Sequence, residues 1–127
     1  MGMFDFLFNK EKAQERQIEN LRKKLCNIWV QSPDRYLAAE QLRDIGTPEA
    51  ISALYERFKV QVKNSTYDNQ EKLDLVDMLV YKGSDSLEPA KNFVRREQTA
   101  INYPMRVLDE LLTSAQMAEF IVELLSG

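Results

Sequence analysis

Apolar residues recur along this chain at spacings of three and four, in seven sets separated by short polar stretches. Ile18, Leu21, Leu25 and Ile28 form the first stripe; Ala38, Leu42 and Ile45 the second; Ile51, Leu54 and Phe58 the third. Leu73, Val76 and Leu79 or Val80 follow, then Leu87, Ala90 and Val94. Pro104, Val107 or Leu108 and Leu111 make the sixth set, and Met117 or Ala118, Ile121 and Leu125 the seventh. Such spacing puts each set on one face of a helix. No β-branched run alternates between turn signals, so no strand is expected. The pattern predicts an all-α chain in one domain, 1–127: an apolar N-terminal segment over 1–10, a helix over 11–31, and helix pairs over 33–59, 70–97 and 102–126.

The breaks between stripes carry their own chemistry. Gly46 and Gly83 sit where a helix would stop in a left-handed residue. Ser32-Pro33 and Thr47-Pro48 read as a cap followed by a first-turn proline, whose missing N–H would have no partner there anyway. Asp68 with Glu71, and Thr113 with Gln116, have the spacing of a capping box. "RDIGTPEAI" is thus a tight antiparallel helical hairpin. The arrangement returns in "LVYKGSDSLEPAKNFV", from Gly46 to Gly83 a step of 37 residues (83 − 46), and again without glycine in "VLDELLTSAQMAEFIVELL". A helix pair recurring at such a period predicts an α-solenoid, in which each pair buries its face by stacking on the next. An irregular seven-helix bundle is the alternative, but it gives no reason for the turn chemistry to recur.

Residues 33–58 resemble a HEAT repeat, particularly the short bacterial kind called PBS-lyase-like HEAT repeats. Ala38, Ala39, Leu42, Gly46, Pro48, Glu49, Ala50, Ile51 and Leu54 match that pattern of alanine-rich first helix, Gly-x-Pro-Glu-Ala turn and aliphatic second helix. Weaker resemblance runs to the C-terminus, and the Phe-Asp-Phe opening before a charged helix is similar to the start of bacterial HEAT-repeat proteins. The resemblance implies a right-handed α-solenoid of about three HEAT-like hairpins preceded by an N-terminal helix. It implies a non-enzymatic scaffold that binds a protein or peptide, and it does not imply lyase activity.

Composition narrows the chemistry. Among 127 residues, 44% are apolar and 29% charged, the balance of a soluble globular domain. The net charge of −3 does not suggest a nucleic-acid surface. Histidine is absent, which removes the usual general base and the commonest metal ligand. No catalytic residue, metal site or cofactor is therefore expected. A small lyase-like protein using Asp and Glu alone is kept as an alternative, recognisable by two carboxylates with shifted pKa values in a closed pocket. A nucleic-acid-binding protein is a third, needing a continuous basic stripe. Cys26 is alone, and the start lacks the basic region and cleavage site of a secretory signal, so a cytoplasmic setting is expected.

In a solenoid the outward positions of the second helices meet partners. Here these are Tyr55, Glu56 and Lys59, then Lys91, Asn92, Arg95 and Arg96, then Glu119 and Glu123. That order predicts a groove basic in the middle and acidic at its C-terminal end, suited to an extended peptide or helix. Phe4, Phe6 and Phe8, with Met3 and Leu7, are expected to fold back over the first helix pair; peripheral insertion at a membrane interface is the alternative. Cys26 is expected to be a small buried hydrophobe. The last helix has an apolar face broader than one neighbour needs, which predicts self-association or a helical stack continuing past Gly127.

Overall fold

The computed structural model describes residues 2–127. Its described residues form seven α-helices, two 3-10 turns and no strand. Helix α1 spans Met3–Leu25, and Asp5 in its first turn with Arg22, Lys23 and Lys24 in its last complements the helix dipole. The predicted helix over 11–31 is shifted at both ends. The apolar N-terminal stretch is the opening of α1 itself, so it does not fold back. The helix stops before Ile28 because the chain turns at Cys26, at φ −93° and ψ 3°, after which Asn27 N–H reaches back only three residues to Lys24 O at 3.3 Å. The Asn27 side chain then accepts from Trp29 N at 2.9 Å, a turn that competes with helix.

Helices α2 (Ser32–Ile45) and α3 (Pro48–Glu56) are joined as their turn chemistry predicts. Gly46 adopts φ 69°, ψ 3°, and the Thr47 hydroxyl accepts from Ala50 N at 3.2 Å. A 3-10 turn, Arg57–Lys59, extends α3. Helix α4 (Ser65–Lys82) starts five residues before the predicted 70, because Asn64 is the stronger cap. Its side chain accepts from Thr66 N at 3.0 Å and Tyr67 N at 3.1 Å. Asp68 is consequently not a cap but an inward-facing residue of the first turns, only 2% exposed. After Gly83, at φ 66° and ψ −129°, a 3-10 turn (Gly83–Ser86) leads into α5 (Leu87–Arg96). Helices α6 (Asn102–Leu111) and α7 (Ser114–Ser126) follow, and Thr113 with Gln116 forms the predicted reciprocal capping box.

Packing proceeds along the chain. Helix α1 lies on α2 and α3, α2 on α3 and α4, α3 on α5, α4 and α5 on α6, and α6 on α7. The core runs through Leu42, Ile51, Leu54, Leu79, Phe93 and Leu108, each at most 1% exposed. Tyr55, Phe58, Phe93 and Tyr103 contact one another as rings, with Phe58 stacked on Tyr103 at 5.6 Å between centroids. Of the predicted stripes, Ile28 lies beyond its helix, and Leu73, Ile121 and Leu125 remain exposed. Leu125, in the last turn of α7, is 83% exposed.

Candidate functional site

The outward side of α5 faces α7 across a cleft of about 300 Å³. Leu87, Leu112 and the buried ring of Phe120 supply its apolar floor, and Lys91, Arg95, Glu119 and Glu123 its charged sides. Four of the expected groove residues are therefore brought together, but opposite charges meet across one cleft rather than forming a gradient along it. Arg95 makes a two-pronged bond to Glu123 at 2.9 and 3.0 Å, holding that carboxyl below its usual pKa. Asn92 supports the guanidinium by accepting from Arg95 Nη1 at 3.0 Å. Among the described residues Lys91 makes no ion pair, and its Nζ lies 5.8 Å over the Phe120 ring.

Lys59 and Arg96 belong to a different group, a small surface network linking the end of α3 to the end of α5. Lys59 pairs with Glu97 at 3.0 Å and Glu56 at 3.5 Å, while Arg96 pairs with Glu56 at 2.9 Å and Glu97 at 3.2 Å. These cations are already answered by carboxylates, so the continuous basic stripe that nucleic acid requires is interrupted. Tyr55 is not a groove residue. It is 1% exposed, and its hydroxyl donates to Ser86 O at 3.1 Å, because position 55 lies on the side of α3 that packs against α5. Burial pushes its phenol well above the ordinary value. Phe4, Phe6 and Phe8 stand 88%, 67% and 56% exposed on α1, far from the cleft's lining.

A buried charge cluster went unseen in the sequence. Arg57, 1% exposed, donates to Asp68 Oδ1 at 2.9 Å, to Glu71 Oε1 at 3.4 Å and to Val60 O at 2.7 Å. Arg35 grips Glu71 at 2.7 and 2.8 Å and also donates to Val30 O. Asp68 further accepts from Lys72 Nζ at 2.6 Å and Val62 N at 3.1 Å. The cluster ties the turn before α2, the end of α3 and the start of α4 into one knot. Burial alone would raise the pKa of both carboxyls. For Asp68, bonds from Lys72, Val62 N–H and Arg57 outweigh it; for Glu71, the Arg35 bond and the Arg57 charge do, and both stay low. Carboxylates so held are ionised with occupied acceptors, a poor arrangement for proton transfer. Only the i,i+4 spacing of Asp68 and Lys72 hinted at this site in the sequence.

Cys26 is half-buried, and burial pushes its thiol upward, away from the reactive thiolate. Among the described residues no group of three or more His, Cys, Asp and Glu is placed to hold a metal, and no helix is long and apolar enough to cross a membrane. Comparison with family models, curated proteins and solved structures finds no match for this chain.

Proposed function

We propose that this chain is a non-catalytic interaction module, a short HEAT-like α-solenoid whose α5–α7 cleft receives a segment of a partner protein. Stacking is supported by the run of contacts in which α2 meets α4, α4 meets α6, and α3 meets α5. The observation that carries the binding role is the cleft itself, a mostly polar surface of Lys91, Arg95, Gln116, Glu119 and Glu123 in which Leu87, Leu112 and the edge of Phe120 offer an apolar contact. That composition suits a segment anchored by an apolar side chain and oriented by polar groups. Lys91 is the free cation available to a partner carboxylate. The Arg95–Glu123 bridge is half-exposed and screened by water, so it opens readily for exchange.

The reading is tested with displayed libraries of extended and helical peptides panned against the folded chain. Selected sequences should combine an aliphatic or aromatic anchor with a nearby Asp or Glu. Lys91→Glu combined with Arg95→Glu should abolish their binding while the melting temperature stays close to wild type. Binders indifferent to that double change, but sensitive to changes elsewhere, would refute the cleft as the site.

A further inference from the structure

Helix α1 carries one seam along its whole length: Phe4, Leu7, Glu11, Gln14, Ile18, Leu21 and Leu25, alternating steps of three and four. Its C-terminal half is in use. Ile18 and Leu25 are buried at 8% and 3%, and Leu21 packs against the core on α2 and α3. Its N-terminal half is bare: Met3, Phe4, Phe6, Leu7 and Phe8 are 48–88% exposed, and every described residue before Ile18 is exposed. The surface around Leu7, Lys10, Gln14 and Gln17 is lined by α1 alone. From residue 3 to 14 the helix therefore projects on the order of 20 Å beyond the packed helices.

We infer that a second copy of this chain covers that half-seam, through an antiparallel α1–α1 pair. A stripe with three-and-four spacing is what one helix offers another, and the same stripe already seats on helices further along. Orientation follows from sterics. The chain's own α2 and α3 occupy the seam face from Ile18 onward, so a parallel partner would run into them. An antiparallel partner overlaps residues 3–14 and leaves each packed body beyond the other's tip. Phe4 and Leu7 on the seam, with Met3 beside it and Phe6 and Phe8 on its two flanks, expose on the order of 1,000 Å² over two copies, the lower limit for a specific interface. Two-fold pairing also closes, so the seam is used up within the pair and no open-ended chain of copies results.

A lipid surface fits less well. Over residues 3–17 Lys10, Lys12 and Arg16 are balanced by Asp5, Glu11 and Glu15. No electrostatic pull toward anionic lipid results.

Sedimentation equilibrium of the full chain, from micromolar to near-millimolar concentration, tests the pairing. Wild type should fit a monomer–dimer equilibrium. Phe4→Glu and Leu7→Glu should each weaken it by roughly 30-fold or more, as central interface residues do. Their thermal transitions should remain at the wild-type temperature. Leu125→Glu, on the exposed side of α7, should leave the dimer intact. A wild-type monomer across the range overturns the inference, as does a dimer broken by Leu125→Glu and not by Leu7→Glu. So does a monomer that floats with phosphatidylcholine vesicles through Phe4 and Leu7, which would assign the tip to lipid.

Discussion

Replacing Asp68 by alanine should cost this protein about 3 kcal/mol, at the lower edge of the range for breaking a buried ion pair. The lower edge applies because the strain is shared. Arg57 would keep Val60 O at 2.7 Å and the longer contact to Glu71 at 3.4 Å, so its charge is not left wholly unanswered. Lys72, 7% exposed, would keep its ammonium over the face of the Tyr103 ring, 5.8 Å from the centroid. What cannot be recovered is the acceptor for Val62 N–H and one carboxylate against a guanidinium only 1% exposed. Asp68→Asn keeps an acceptor of the same shape and should lose about half as much. With a urea slope of roughly 2 kcal/mol per molar for a chain of this size, the alanine variant's midpoint should fall by about 1.5 M in helical circular dichroism. Arg57→Met with Asp68→Leu removes both charges, and its loss should be smaller than the two single losses added, by about 1–3 kcal/mol. An alanine variant within 1 kcal/mol of wild type, or strictly additive losses, would refute the buried pairing.

The same cluster sets an acid limit. Asp68 and Glu71 have folded pKa values below their ordinary ones, so their stabilisation is complete above the ordinary carboxylate range and drains as pH falls through the folded values. The urea midpoint should be flat near neutrality and decline below about pH 5, and Asp68→Asn should flatten that decline. Tyr55→Phe removes the donor to Ser86 O while keeping the ring packed, and should cost about 1 kcal/mol by thermal melting; no change would mean the hydroxyl was not bonded. Gly83→Ala should cost about 2 kcal/mol although its added Cβ meets no atom within 4 Å, since φ 66° with ψ −129° excludes L side chains. Gly46→Asn, at a true left-handed position, should cost under 1 kcal/mol by the same melt, and equal losses at the two sites would contradict this backbone reading.

What could be read in the sequence was local, and the reason is physical. Helix faces and the Thr47, Gly46 and Thr113 terminations depend on residues three or four apart, so Ala38, Leu42, Ile51 and Leu54 were found where the stripes put them. The misplaced boundaries also have local causes, since Asn64 and Asp68 both offered a cap and only one could take it. The longer-range facts were illegible for a different reason. Arg35 and Glu71 are 36 residues apart, and Arg96 and Glu56 are 40 apart; nothing in either neighbourhood names the other. The expectation for the cleft failed in the same way. Lys91, Arg95, Glu119 and Glu123 were identified as outward-facing, but whether their charges line up or face one another depends on how α7 crosses α5.

That crossing changes what the cleft is able to select. A gradient of unanswered charge would draw a partner by its net charge, at long range and with strong dependence on salt. In the binding role proposed above, a cleft whose arginine is already bonded to Glu123 would have little long-range pull and would discriminate at contact, through its apolar side chains and the exchange of one carboxylate for another. Association should then be slow for a charged peptide, with only the modest salt dependence of the single pairing to Lys91, and affinity differences among partners should appear in how fast they leave. The charges at the other end of α5 are spent within the fold instead: Lys59 and Arg96, paired with Glu97 and Glu56, link the end of α3 to the end of α5.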